Sequence, residues 1–355
     1  MNNKKFFASL LLLMIVFLNI SSVKADELVL LHDEDWYWED DTFVVSVAGG
    51  NVDADADKEV VTGGYYYDGT RNVAQLCVWN DVTLALERVR TWYWTGETGI
   101  ESVAVEDVDA DGDEEIITGG WYHDGIRYVA QLCVWDGATL TIENVRTWYW
   151  TGQTIILSVA IGNTYQGISG VDIVTGGYFY DGSRQNAQLC VWDGATLALD
   201  GVQAWYWTGN TQVTSLAIRN FGGGTSIITG GWFWDGTRFC SQVVVWKGLK
   251  VDFPVQWWYT DGHTKTYSLA SGPWPYSIVA CGSHWDSSYG FVAEIKIFEF
   301  FYSGGFQGWG TLVSKSWEDS EYIASVANVG GWGAIYTGGA YYDGERYVAQ
   351  LAGWY

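Results

Sequence analysis

One phrase recurs along almost the whole chain: Thr-Gly-Gly, three residues that are mostly aromatic, then Asp-Gly. It begins at Thr62, Thr118, Thr175, Thr229 and Thr337, with a divergent copy at Ala280-Cys281-Gly282-Ser283-His284-Trp285-Asp286. The start-to-start spacings are 56, 57, 54, 51 and 57 residues. A period of this length means that one small unit is copied six times and that the copies bury their apolar faces against each other. The length of 355 residues would otherwise suggest two or three domains; the repeat places all copies in one.

The second copy shows what one unit folds into. Residues 102–105 form a short apolar strand, and an acidic loop follows at 107–113. Residues 115–122 are a second strand, Asp124-Gly125 a turn, 127–135 a third strand ended by Asp136-Gly137, and 145–150 a fourth. Strands rich in Val, Ile, Tyr and Trp between Asp-Gly turns predict an antiparallel meander. Four strands per repeat of this length is a propeller blade. The expectation is an all-β, six-bladed β-propeller of four-stranded antiparallel blades, with repeats starting near residues 44, 101, 157, 214, 266 and 322.

The two chain ends predict closure. Residues 346–355 read as a third strand, so the last unit lacks its fourth. The segment 28–38 carries Trp36-Tyr37-Trp38, which matches the fourth-strand phrase Trp148-Tyr149-Trp150. The N-terminal strand is therefore expected to complete the last blade, leaving no exposed sheet edge.

Ahead of it, residues 1–25 read as a secretory signal peptide. Lys4 and Lys5 precede an apolar run over 6–18 and a Val23-Lys24-Ala25 cleavage site. The run is shorter than the roughly 20 residues of a spanning helix, so no membrane insertion is expected after cleavage; an uncleaved anchor is the alternative. The mature domain is then 26–355, secreted or at the cell surface. Loss of Lys4, Lys5 and Lys24 takes the net charge from −24 to −27, which excludes nucleic acid as a partner. Cys77, Cys133 and Cys190 share one repeat position and read as small buried hydrophobes, while Cys240 and Cys281 fall outside the pattern and can pair or stay free.

The acidic loops carry the sharpest chemistry. Asp107, Asp109, Asp111, Asp113 and Glu115 alternate along the second copy, and Asn51, Asp53, Asp55, Asp57 and Glu59 along the first. Hard oxygen ligands at alternating positions of a tight loop suit Ca²⁺, which takes 6–8 oxygens. Two structural calcium sites are expected, the first with Ala56 where the second has Gly112.

At these residues the chain resembles the FG-GAP/VCBS-type repeat family, whose Asp-X-Asp-X-Asp-Gly-X-X-(Asp/Glu) loops bind calcium within propeller blades such as those of the integrin α-subunit head. Asp107-X-Asp109-X-Asp111-Gly112-X-X-Glu115 matches that pattern; the Thr-Gly-Gly phrase replaces the family's Phe-Gly and Gly-Ala-Pro marks. The resemblance implies an extracellular propeller for adhesion or ligand binding.

The Trp-Tyr-Trp triplets at Trp92, Trp148 and Trp205 alternate across a strand, so the tryptophans are expected to pack between blades. Asp-Gly-X-Arg recurs with Arg71, Arg127, Arg184, Arg238 and Arg346, predicting a carboxylate–guanidinium pair across each turn. Tyr66, Tyr122, Tyr180, Trp234 and Arg127 are the candidate ligand-binding residues, because aromatic faces stack on sugars. No catalytic residue stands out: the four histidines do not recur in register, and the nucleophile-elbow, phosphate-loop and dinucleotide motifs are lacking. The sequence thus points to a binding or adhesion module whose ligand is a carbohydrate or an extracellular protein. A polysaccharide-acting enzyme on the same scaffold and a structural surface-layer protein are the alternatives.

Overall fold

The computed structural model describes residues 36, 38, 41–53, 58–164, 170–220, 224–252, 255–259, 262–271, 277–288, 290–303, 306–317, 322–329, 334–342 and 347–354; side chains are described up to residue 299 apart from Ser271. The signal segment, most of the strand expected over 28–38, Asp55 and Asp57 lie outside the described residues.

Among the described residues the strands group into six consecutive antiparallel sheets. The first holds β1 (Thr42–Gly50), β2 (Glu59–Tyr67), β3 (Asn72–Asn80) and β4 (Leu86–Trp92); the second holds β5 (Thr98–Glu106), β6 (Glu115–His123), β7 (Tyr128–Trp135) and β8 (Ile142–Trp148). The third is β9 (Thr154–Gly162), β10 (Asp172–Tyr180), β11 (Gln185–Asp193) and β12 (Leu199–Trp205). In the fourth, β13 (Thr211–Asn220), β14 (Thr225–Trp234) and β15 (Phe239–Lys247) are followed by β16 (Lys250–Val251) and β17 (Gln256–Trp258), both on the edge of β15. The fifth is β18 (Thr264–Ser271), β19 (Ser277–Asp286), β20 (Gly290–Ser303) and β21 (Phe306–Trp317). The last comprises β22 (Tyr322–Val329), β23 (Ala334–Tyr342) and β24 (Tyr347–Trp354), three strands among the described residues.

The first strands of successive sheets pack on one another in order: β1 on β5, β5 on β9, β9 on β13, β13 on β18 and β18 on β22. Thr-Gly-Gly explains the fit. A side chain at Gly63 would strike Val103 and Ile100 of the next sheet, and one at Gly64 would strike the Phe43 carbonyl at a bulge of its own sheet. Only glycine lets the backbones approach so closely. A serine ladder joins the same strands: the Val103, Val159, Leu216 and Leu269 N–H groups each donate at 3.0 Å to Ser46, Ser102, Ser158 and Ser215 Oγ of the preceding sheet.

Outer junctions are sealed by tryptophan, as the triplets predict. Trp92 packs on Trp135, Trp148 on Trp192 and Trp205 on Trp246, at centroid distances of 4.7, 4.7 and 4.9 Å. Each such pair contributes about 0.5–1.5 kcal/mol beyond its buried area. The Trp148 indole N–H donates to Gln188 Oε1 at 3.0 Å, so its one polar atom is also satisfied. Trp36 makes the same contacts on the first sheet, 4.5 Å from Trp79, with its indole N–H 3.4 Å from Gln75 Oε1. The inner strand of that sheet is open: Val44 and Val47 are 43% and 60% exposed, against 1% and 6% for Ile100 and Val103. All five cysteines are buried free thiols, Cys240 and Cys281 included.

Candidate functional site

Strand alternation puts the β1–β2 type of loop and the β3–β4 type of turn at one end of every sheet, and the Asp-Gly-X-Arg turns at the other. The acidic loops and the candidate ligand residues therefore occupy opposite faces.

In the second sheet, carboxylate oxygens of Asp107, Asp109 and Glu115 lie within 4.8 Å of one another. Two oxygens bound to one Ca²⁺ at about 2.4 Å are separated by no more than about that distance, so the donor set fits a calcium ion. Asp107 shapes the loop by accepting the Ala110 N–H at 2.7 Å and the Gly112 N–H at 3.1 Å. Gly112 has a φ of 104°, which suits glycine; Ala110, at 66°, costs about 1 kcal/mol or more. Asp111 and Asp113 stand outside the cluster, their oxygens engaged in turn geometry in the case of Asp111, which accepts the Asp113 N–H at 3.0 Å. Burial pushes the Glu115 carboxyl up to about 7 against the lowering effect of the Val108 N–H, and Asp109, Glu143 and Asp111 add repulsion. A cation at this position would favour the charged carboxylate.

The first loop differs. Asp53 and Glu59 come together with Glu87 of β4, a ligand candidate that sequence reasoning missed. Its signal was present: Glu87 and Glu143 occupy one repeat position, the second residue of the fourth strand. Here Arg88 Nη2 lies 3.0 Å from Asp53 Oδ2 and so supplies a positive charge from the chain itself. Asn144 replaces that arginine in the second sheet. In the third sheet Thr164 donates its N–H at 2.7 Å and its hydroxyl at 2.6 Å to Asp172 Oδ2.

On the opposite face, each turn aspartate first holds its own backbone. Asp124 Oδ1 accepts the Ile126 N–H at 2.7 Å and the Arg127 N–H at 2.8 Å, which keeps its carboxyl below the usual range. The expected arginine pairs are long, 3.8, 3.9 and 3.6 Å at Arg71, Arg127 and Arg238. Arg71, Arg127 and Arg184 lie instead over the middle tyrosine of the Trp-Tyr-Trp triplets, Arg127 being 4.4 Å from the Tyr149 ring centre and Arg184 4.4 Å from Tyr206, and Arg238 lies 4.4 Å from Tyr259.

The candidate ligand aromatics do not share one position. Tyr66 and Tyr122 are matched by Phe179 and Phe233, and pack against Trp38 and Trp94 at 6.3 Å each. Tyr180 and Trp234 stand one residue later, on the other sheet face. Tyr180 is exposed, and Trp234 stacks on His263 at 5.9 Å. Of the five candidates, Tyr180 and Arg127 line a groove of about 610 Å³ with His123, Tyr128, Gln153 and Asn210. A smaller cavity of about 450 Å³ lies beside Arg238, His263, Trp285 and Phe291.

Toward the inner strands the same face carries groups not picked out from the sequence. Tyr65, Trp121, Tyr178 and Trp232 occupy one position in four successive sheets. Glu101 accepts the Trp121 indole N–H at 2.7 Å, and burial raises its carboxyl pKa. Lys265 lies 4.7 Å over the Trp232 ring and 4.1 Å over Phe239, and burial lowers its pKa.

No protein-family model matches the chain, and no curated protein does. Among solved structures, Sqt1 from Chaetomium thermophilum matches with a TM-score of 0.50 at 15% identity, covering 85% of this chain and 69% of that one. Chaetomium thermophilum Sqt1 bound to the N-terminus of the ribosomal protein L10 matches at 0.49 and 14% identity, over 85% and 72% of the two chains. The Dos1 propeller matches at 0.46 and 15%, over 79% and 62%. At such identity the likeness speaks to the fold alone, and together with the stacked antiparallel sheets it makes this chain a β-propeller.

Proposed function

We propose that this chain is a secreted binding module that takes a carbohydrate on the face bearing the Asp-Gly-X-Arg turns, while structural calcium in the Asp107/Asp109/Glu115 loop, and more weakly in the Asp53/Glu59/Glu87 loop, stiffens the opposite face. The observation that carries the carbohydrate reading is the groove beside Tyr180. It combines an exposed aromatic face with the amides of Gln153, Gln185 and Asn210 and the guanidinium of Arg127. Stacking on a ring and bidentate polar contacts to hydroxyls are what a sugar offers. The loop sequence, and its likeness to FG-GAP/VCBS-type repeats, supports calcium as the ion.

The six sheets are taken as six blades of a closed ring. Trp36 supports this reading, since it sits on Trp79 and Gln75 as each fourth-strand tryptophan sits on the following blade. Closure would bring Gly338 of β23 against Val44 and Val47, burying the apolar surface now open on β1. Enzyme chemistry gains nothing from His284, which is 8% exposed inside the fifth sheet.

The test is a screen of the full secreted chain against a glycan and polysaccharide panel, with calcium and with a chelator, reading binding and new reducing or unsaturated ends. Binding without product, weakened at least tenfold by Tyr180→Ala, is expected. Product release would move the reading to a polysaccharide-acting enzyme. A folded, calcium-loaded chain that binds no glycan would overturn the carbohydrate reading in favour of a protein ligand.

A further inference from the structure

Each first strand carries a one-residue bulge at the same place, and the bulged residues are Val45, Glu101, Leu157, Thr214, Tyr267 and Ala324. Bulges re-aim a side chain and gather next to functional sites. Five of the six are uncharged and one is an acid. The other copies carry Val, Leu, Thr, Tyr and Ala there, so the fold does not require a charge at the bulge.

The surroundings of Glu101 are unusual for a carboxylate. Among the described residues its one hydrogen bond is from the Trp121 indole N–H, a neutral donor, at 2.7 Å. Among the described residues it forms no ion pair. Tyr65 and Tyr178, from the sheets on either side, feel its charge. Tyr65 and Trp121 lie 6.4 Å apart, and Trp121 meets Tyr128 edge-on at 5.0 Å. A half-buried carboxylate among aromatic faces has the chemistry of an ammonium receptor. The acid supplies the opposite charge, and the rings supply cation–π attraction without adding donors that would compete. Tyr128 belongs to both places: it lines the groove of the proposed saccharide site and packs on Trp121.

We propose that the Glu101 carboxylate, joined through Trp121 to Tyr128 of the groove, takes a protonated amine, so that the saccharide held beside Tyr180 is an amino sugar with a free ammonium group. This rests on the carbohydrate reading above. The amine reaches Glu101 past Tyr128 while the sugar ring stays on Tyr180 and the amides.

The experiment compares a β-1,4-linked glucosamine oligosaccharide with its fully N-acetylated counterpart by calorimetry on the full chain. The variants are the wild type and Glu101→Gln, with the melting temperature of each recorded to show folding. The expected result is binding of the free amine at least tenfold tighter than the acetylated form, a preference that Glu101→Gln abolishes while changing acetylated binding less than twofold. Equal binding of the two forms by the wild type would overturn the amine assignment and leave the carbohydrate reading standing. A preference that survives in Glu101→Gln would also overturn it, showing only the attraction of an acidic chain for a cation. Failure of both saccharides to bind would overturn the carbohydrate reading and this inference together. Binding of Nα-acetyllysine amide in place of either saccharide, lost in Glu101→Gln, would overturn the sugar as the source of the amine.

Discussion

The first and second acidic loops are near-copies in sequence, yet they meet different partners. In the first, Arg88 reaches Asp53 at 3.0 Å and also donates to the Ala138 carbonyl of the next sheet at 3.0 Å. In the second, Asn144 stands at that strand position, and Glu115 is left buried among other carboxylates. An internal guanidinium and an external divalent ion are rival answers to the same concentration of negative charge. On the proposed reading, the choice between them rests with a residue on the fourth strand, some 35 positions away in sequence from Asp53.

The contrast can be inverted. Asn144→Arg should place a resident cation in the second loop and remove most of its calcium response. At a calcium concentration of 100 Kd a single site adds about 2.7 kcal/mol, and denaturant melts with and without chelator should show that increment disappear. An undiminished calcium increment would show that the arginine does not govern the loop. The reciprocal change, Arg88→Asn, should strengthen calcium at the first loop. The gain is smaller, about 1 kcal/mol or roughly fivefold in affinity, because a partly exposed ion pair is worth little. Titration calorimetry of that variant should show a second, tighter binding event.

A third effect is one of pH. The Glu115 carboxyl is raised in the folded chain from 4.5 to about 7, so its contribution to stability is complete below 4.5 and is lost as pH rises toward 7. Without calcium the chain should therefore become less stable between these values, and Glu115→Gln should flatten that slope. Melting temperatures in chelator across the range would check it; a slope unchanged in the variant would place the titration elsewhere.

Much of the fold was legible because its determinants are local and repeated. The Thr-Gly-Gly phrase, the Asp-Gly turns and the Trp-Tyr-Trp triplets each act within one sheet or at one junction, and their spacing places them correctly. The acid loop was legible in part. Asp107, Asp109 and Glu115 converge, but alternation alone cannot say which carboxylates turn inward, so Asp111 and Asp113 were included with them. Glu87 was missed because its closeness to Asp53 comes from pairing of strands across the sheet. The ligand aromatics were grouped across two registers because all are aromatic; a one-residue slip reverses the face, as Tyr122 and Tyr180 show. Glu101 was passed over because it is conspicuous only when six bulges are compared side by side.

The serine ladder has a consequence for how this molecule reports on itself. In an ordinary sheet an amide proton is held by its own sheet, and its exchange with solvent measures the opening of that sheet. The amides of Val103, Val159, Leu216 and Leu269 are held by a hydroxyl of the sheet before them. Each is a sentinel for its predecessor: fraying of one blade would be read first in the spectrum of the next, and always in the same direction around the chain.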